Sequence, residues 1–434
     1  MVSAYRHSAL IDQNRAVLRA ADEDVATAVA GLRPVLQWVA SHSVTKSETA
    51  RDYFTSRQTQ VQLSAQMTLY DWGRSQIAID AAKEQVLATR QALVSVEQDV
   101  LLGATKAYFD IHQATERVAL QQNSAEVLGR ERQAAQDRFD VGEITVTDVA
   151  QADAQLAASQ AQLAAAQGDL EIAREAYLAA TGRRVTRVDT PPPLPKLPAS
   201  VDAARQLGQA NHPLIKQAQR QAAAAELGVA GAAAERNPTL SGRVGVGVQR
   251  GLEQLSNDYA NRNSASASLE LSQTLYSGGR LPSAHRKAMA QRDQARAALL
   301  NIARQVNQQV GESWANIDVA RAQIGAIDQQ ISAAQQAYDG VREEAQLGAR
   351  TTLDVLDAEQ SLLEARADKI AAQANLQLAH YQLLSAMGLL TVEHLKLGIP
   401  TYDPSQYYNA VRDAPYTSKQ GADLDRVLRA IGRD

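Results

Sequence analysis

Leu69-Tyr70-Asp71-Trp72-Gly73-Arg74 recurs as Leu275-Tyr276-Ser277-Gly278-Gly279-Arg280, 206 residues further along the chain. Gly142, Asp148, Val149, Ala152 and Gly182 return at the same spacing as Gly348, Asp354, Val355, Ala358 and Gly388. A shift that stays constant from Leu69 to Gly182 marks an internal duplication, and a duplication constrains the architecture before any single element is assigned. Upstream, Leu10-Ile11 and Pro34 match Leu214-Ile215 and Pro238 at a spacing of 204, so the second copy gains two residues ahead of the Leu-Tyr motif. The chain therefore reads as a first repeat over 1–182, a connector over 183–200, a second repeat over 201–397 and a tail over 398–434. The connector holds Pro191-Pro192-Pro193-Leu194-Pro195, which cannot be helical. In the tail, residues 424–431 read as a short helix.

Each repeat reads helix, strand, strand, long helix, helix. Val61, Leu63, Ala65, Met67 and Leu69 alternate with Gln60, Gln62, Ser64, Gln66 and Thr68, a period of two. The counterpart alternates Ala265, Ala267, Leu269 and Leu271 with Ser264, Ser266, Ser268, Glu270 and Ser272. The preceding strands, 35–44 and 239–248, alternate less cleanly. Four strands of about ten residues are expected, joined in pairs by polar loops over 45–59 and 249–263, with the length and pattern of outer-membrane barrel spans. Four strands cannot enclose a lumen, so either several chains pool them or they form soluble hairpins. From Gly73 to about Asp140 no proline interrupts, which allows about 100 Å of helix. Downstream, Val149, Leu156, Leu163, Leu170 and Tyr177 fall seven apart, as do Ala152, Ser159, Ala166, Ala173 and Ala180. The second copy repeats both rows, the first as Val355, Leu362, Leu376 and Leu383 broken by Lys369, the second as Ala358, Ala365, Ala372, Ala379 and Ala386. A sustained seven-residue period with rows of alanine means a left-handed coiled coil of closely approaching, antiparallel helices.

Composition narrows the function classes. With 434 residues, 45% of them hydrophobic, the chain is not disordered in character, but only 4% are aromatic, which suits narrow helix seams. A net charge of −4 and the lack of a Lys/Arg run exclude the electrostatic footprint of nucleic-acid binding. No cysteine is present, no apolar run is long enough for a transmembrane helix, and the seven histidines form no i,i+4 pair. No catalytic constellation, cofactor motif or metal site is expected. The start, Met1-Val2-Ser3-Ala4-Tyr5, lacks the apolar core of a signal peptide, so an exported chain implies a leader absent from these residues.

The candidate functional residues cluster at the turns joining the long helices. Each turn carries a glycine suited to ending a helix, Gly142 or Gly348, followed by Thr145-x-x-Asp148 or Thr351-x-x-Asp354, the signature of a capping box. Capping alone accounts for Asp148 and Asp354. Asp357 is different: it shares a helix face with Asp354, yet its counterpart is Gln151, so the duplication does not demand an acid there. Arg350 likewise faces Ile144 in the first copy.

Together the duplicated Leu-Tyr-x-x-Gly-Arg, the two turns and Asn211-His212-Pro213 resemble the TolC family of outer-membrane efflux and type I secretion channels, over nearly the whole chain. The resemblance implies a mainly α fold with a β-barrel part: long antiparallel helical hairpins forming a coiled-coil α-barrel, plus four strands per chain in a trimeric, twelve-stranded outer-membrane β-barrel. It implies a homotrimer set in outer-membrane lipid with a periplasmic extension, served by a periplasmic adaptor and an inner-membrane ABC or proton-driven transporter. Adaptor docking falls at the turns of Gly142 and Gly348. Asp354 and Asp357 match the acidic positions at the periplasmic entrance, and Arg350 matches an arginine that bonds to the neighbouring turn, where Thr147 and Asp148 match its partners. Two departures stand out: Ala345 replaces a family tyrosine of the entrance, and His7-Ser8-Ala9 replaces the Asn-Pro of the first copy. The rival expectation is a soluble periplasmic coiled-coil scaffold or adaptor.

Overall fold

A computed structural model describes residues 1–48, 53–185, 191–252, 259–414 and 426. The helix expected over 424–431 thus lies outside the described residues apart from 426. The chain forms two compact units, one of Met1–Arg15, Ala92–Ile215 and Asn301–Thr401, the other of Ala16–Gln91, Lys216–Leu300 and Tyr402–Asp434. The first half runs α1 (Val2–His7), α2 (Ala9–Ala30), β1 (Val35–Glu48), β2 (Tyr53–Tyr70), α3 (Arg74–Asp140) and α4 (Val146–Thr181). The second runs α5 (Val201–Asn211), α6 (Pro213–Ala234), β3 (Thr239–Leu252), β4 (Tyr259–Ser272), α7 (Arg280–Gln346) and α8 (Thr352–Ala386), followed by α9 (Pro404–Val411). The long helices α3 and α7 each hold 67 residues.

In the second unit the strands form one antiparallel sheet in the order β1-β2-β3-β4. Register sorts the side chains by polarity. Trp38, Leu63, Val246 and Ala265 form one row across the four strands, and Leu36, Ala65, Val244 and Ala267 form the next. The opposite face carries rows such as Gln37, Ser64, Gly245 and Ser266. The apolar side chains are not covered: Trp38 is 67% exposed and Leu269 74%. β1 and β3 alternated poorly in sequence because Val35 and Val39 sit on the polar face, as do Gly245 and Gly247. At Gly247 a Cβ would come within 3.1 Å of the Val61 carbonyl oxygen, so a side chain there would crowd the neighbouring strand.

The strands are longer than expected. The segments anticipated as loops over 45–59 and 249–263 are mostly strand, with pairing continued to Glu48 opposite Tyr53 and to Leu252 opposite Tyr259. Hydropathy alternation stops where the apolar rows stop, whereas backbone pairing needs no apolar side chain and is favoured by Thr45, Thr55 and Thr59.

Helix ends follow local chemistry. Asp71 opens α3, its carboxylate accepting from the Ser75 amide at 2.8 Å and the Gly73 amide at 3.2 Å, and Ser277 accepts from the Leu281 amide at 3.1 Å to open α7. Between α5 and α6, His212 adopts extended backbone before Pro213, the conformation favoured for a residue preceding a proline. The first copy lacks that proline, yet the chain still breaks between α1 and α2, because Ser8 is extended and its hydroxyl accepts from the Ile11 amide at 3.3 Å. Gly388 packs against the break between α5 and α6: a Cβ there would lie 2.6 Å from His212 Cα.

The first unit holds the helical hairpins. Ile111 packs with Leu170 and Ala173, while Leu128 and Ala135 pack with Ala152, the inverse order that antiparallel helices require. Tyr338 and Ala345 of α7 meet Val355 and Leu362 of α8 in the same manner. The alanine row of α4 is buried at Ala152, Ala166 and Ala173, and that of α8 at Ala365, Ala372, Ala379 and Ala386, as the seven-residue period predicts. Among the described residues no helix is long and apolar enough to cross a membrane.

Candidate functional site

Both turns are built alike. Gly142 has φ of 83° and donates to the Phe139 carbonyl at 2.9 Å, while the Glu143 amide reaches the Arg138 carbonyl at 2.9 Å. Gly348 has φ of 78°, with Gly348 to Ala345 at 3.1 Å and Ala349 to Glu344 at 2.9 Å. Paired bonds of this kind around a left-handed glycine satisfy the orphan carbonyls of a helix end. The next helix then starts by capping. Thr145 donates to Asp148 Oδ2 from its amide at 2.9 Å and from its hydroxyl at 2.7 Å. Thr351 does the same to Asp354, both at 2.9 Å, and its hydroxyl oxygen accepts from the Asp354 amide at 3.2 Å.

These bonds set the charge state of the tips. The Thr145 hydroxyl and amide hold the Asp148 carboxyl below its usual range, and the Thr351 amide and hydroxyl do so for Asp354. Both stay ionised well into acid. Asp357, one turn into α8, is exposed, as are Thr147, Gly142 and Gly348. Arg350 is engaged within its own turn: its Nε donates to Glu344 Oε2 at 2.8 Å, and that carboxylate with Asp354 raises the arginine's pKa further. Among the described residues, Arg350, Glu344 and Asp354 are brought together, whereas Arg350 and Asp148 of one chain are not bonded.

Glu344, Glu359 and Glu131 belong to the site but were not singled out in sequence. Glu131 of α3 and Arg342 of α7 form an ion pair at 3.3 Å that ties the two hairpins together near their tips. Glu359 is buried in the seam, where desolvation raises its pKa against the pull of Arg366 and Arg342. It lies on neither seven-residue row of α8, beside Ala358, so the period gave no sign of its burial. Ala345 is buried against Tyr338 and Val355, beside a cavity of about 120 Å³ that Arg138, Gln346 and Leu356 also line. Among the described residues no group of His, Cys, Asp and Glu is arranged to hold a metal.

The family model for outer membrane efflux proteins matches residues 2–183 and again 204–389. The outer membrane efflux protein BepC of Brucella suis is 33% identical over 418 residues, covering 95% of this chain and 90% of BepC. The outer membrane protein TolC of Escherichia coli is 25% identical over 346 residues, 76% of this chain and 69% of TolC. The crystal structure of the outer membrane protein VceC from Vibrio cholerae superposes with a TM-score of 0.76 at 22% identity, over 89% of this chain and 94% of that one. An uncovered apolar sheet face is unsuited to a soluble scaffold and suited to lipid. The chain belongs to the outer membrane efflux protein family, as a TolC-like channel protein of the cell outer membrane and not an enzyme.

Proposed function

We propose that three copies of the chain pool their strands into one twelve-stranded barrel and their helical hairpins into a periplasmic duct, forming the exit channel of a tripartite type I secretion or efflux system. The four-stranded sheet carries this reading: one face is apolar, and β1 and β4 are each paired on one side only. In lipid, every backbone group left without a partner costs several kcal/mol, so an open sheet edge is not tolerated. Joining β4 of one copy to β1 of the next satisfies all edges in a closed ring. The apolar face spans Val61 to Leu69 on β2, about 26 Å along the strand, on the order of the apolar band of such barrels.

In this reading residues 1–182 and 201–397 are two copies of one unit, joined by 183–200 and followed by the tail 398–434. The two separate matches of the family model support that division. The turns of Gly142 and Gly348 are where a periplasmic adaptor docks, with an inner-membrane ABC or proton-driven transporter behind it. Substrate passes without chemical change. Asp354 and Asp357 ring the entrance and favour cations. Arg350, Thr147 and Asp148 link neighbouring hairpins, with Arg350 exchanging between Glu344 of its own turn and the adjacent one. The small Ala345 makes the closed entrance looser than a tyrosine there would.

Two measurements test this. The full-length protein should sediment with outer membranes and cross-link as a trimer in detergent. In single-channel recordings Arg350→Ser should raise conductance and Asp357→Asn should weaken cation selectivity; unchanged traces for both would remove the gate from these residues.

A further inference from the structure

We propose that the apolar face of the sheet ends, on its hairpin side, in a binding site for the phosphate groups of an outer-leaflet lipid, formed by Lys46, Arg57 and Arg250. The site depends on the barrel reading above, in which this face meets the bilayer and the hairpins point outward.

Strand register places the three cations. Lys46 lies opposite Thr55, Arg57 opposite Val44, and Arg250 opposite Thr59. Lys46 and Arg57 are therefore diagonal neighbours on adjacent strands, and Arg57 and Arg250 are diagonal neighbours in turn. Diagonal positions on one sheet face lie about 7–8 Å apart, within reach of long side chains. All three share the face of Val61, Val246 and Val248 and all three are exposed; Arg250 stands one row beyond the Val61–Val248 pair, in the polar row of His42, Thr59 and Asn261, and Arg57 one row further out opposite Val44. The line of charge thus crosses three strands at the boundary between apolar surface and the hairpin ends.

Charge is segregated between the faces. Over strand residues 35–46, 55–70, 239–251 and 261–272 the single carboxylate is Glu270, and it lies on the polar face opposite Ser241. The other strand arginines, Arg243 and Arg262, are on that polar face too, with Arg243 donating to Gln66 Oε1 at 2.6 Å. So among these residues the bilayer-facing side carries cations and no acid, at the level where outer-leaflet phosphates would sit, with Glu48 at the next same-face position of β1 beyond Lys46. Lys46 and Arg250 also have interactions within the chain. The site needs their position and not their isolation, because a guanidinium has five donors and an ammonium three, more than one neighbour takes. Arginine's fork suits phosphate oxygens in particular. Asn261 and Asn263, on the same face beside Arg250 and Val248, add amide donors for the sugar or ester groups of such a lipid.

Below the charges the face is shaped to take a chain. A cavity of about 400 Å³ lined by Leu63, Val246 and Ala265 begins four residues from Arg250, about 13 Å along the strand. An acyl chain descending along the apolar face from a headgroup held at Arg250 would reach that hollow.

The test uses the full-length protein in neutral detergent, titrated with bisphosphorylated lipid A, with the same lipid after dephosphorylation, and with inorganic phosphate, and read by native mass spectrometry. Retention of the bisphosphorylated lipid should fall roughly five-fold per cation removed and on the order of a hundred-fold in Lys46→Gln/Arg57→Gln/Arg250→Gln, with less effect at high salt. Arg57→Lys/Arg250→Lys should keep most of it. The dephosphorylated lipid should bind weakly and equally to parent and triple variant, and inorganic phosphate at matched concentration should not displace the lipid. Equal retention by the triple variant, equal binding of the dephosphorylated lipid, or displacement by inorganic phosphate would each overturn the proposal. Outer-membrane sedimentation of each protein is measured first: a parent that fails it refutes the barrel reading, whereas a variant that sediments normally and still holds the lipid refutes this site alone.

Discussion

Asp22 of α2 is fully buried, and neither of its carboxylate oxygens finds a hydrogen-bond partner among the described residues. Around it are Arg90 of α3, Glu23 beside it, and the α9 segment, whose Tyr407 hydroxyl donates to Glu23 at 2.7 Å and whose Tyr408 ring lies 5.1 Å from the Arg90 guanidinium. Burial pushes the Asp22 carboxyl up to about 6, well above the ordinary aspartate range, Arg90 opposing the rise and Glu23 adding to it. The folded state therefore holds the proton more tightly than the unfolded chain does. No penalty arises below the unfolded pKa near 4; it grows between about 4 and 6 and is fully present above. A shift of about 2 units corresponds to about 3 kcal/mol of lost stability at pH 8. Asp22→Asn removes the ionisation while keeping the shape. It should melt above the parent at pH 8, and that advantage should vanish or reverse at pH 4. Thermal melting of the detergent-solubilised protein across this range, with proteolysis of the α9 region as a local readout, measures it. A difference between parent and variant that is flat in pH, or an asparagine variant less stable at pH 8, would refute the reasoning.

Two further outcomes separate backbone strain from contact and one face of the sheet from the other. Gly348→Ala meets open space and should cost only the left-handed strain of about 1–2 kcal/mol, whereas Gly388→Ala also drives a Cβ to 2.6 Å from the His212 backbone and should cost clearly more, read as melting temperature or folded yield. Val244→Lys, central on the apolar face, should lower barrel stability by about 2–4 kcal/mol in denaturant titrations from lipid vesicles, while Gln62→Lys on the polar face should be near neutral. Equal effects of those two lysines would reverse the assignment of the faces.

What could be read from the residues depended on whether the cause was local. The turns were legible because glycine and Thr-x-x-Asp act over six or seven residues, and β2 and β4 because their alternation is undisturbed. β1 and β3 were blurred by Val39 and Gly247, which answer to neighbours on other strands. The strand ends were misplaced because Thr55 and Thr59 pair as well as valine does without looking apolar. The break at Ser8 was hidden because a hydroxyl cap replaces the proline that signals the same break at Pro213. At the tips, Asp148 and Asp354 were visible as caps, but the bond of Arg350 to Glu344 crosses a turn whose shape had to be known first. The Asp22 cluster joins segments about 70 and 385 residues apart in sequence and leaves no periodic trace.

A sheet whose outer strands are paired on one side only has a kinetic side as well. Each lone chain presents two rows of backbone donors and acceptors that any other extended segment can occupy, so before assembly the same edges that should complete the ring also invite misjoined aggregates. If the proposed trimer closes these edges, folding and association are coupled, and the stability of one copy depends on how many others are present. Dilution, slow export or a competing fragment bearing one edge strand should therefore injure this protein more than a substitution deep in its helices.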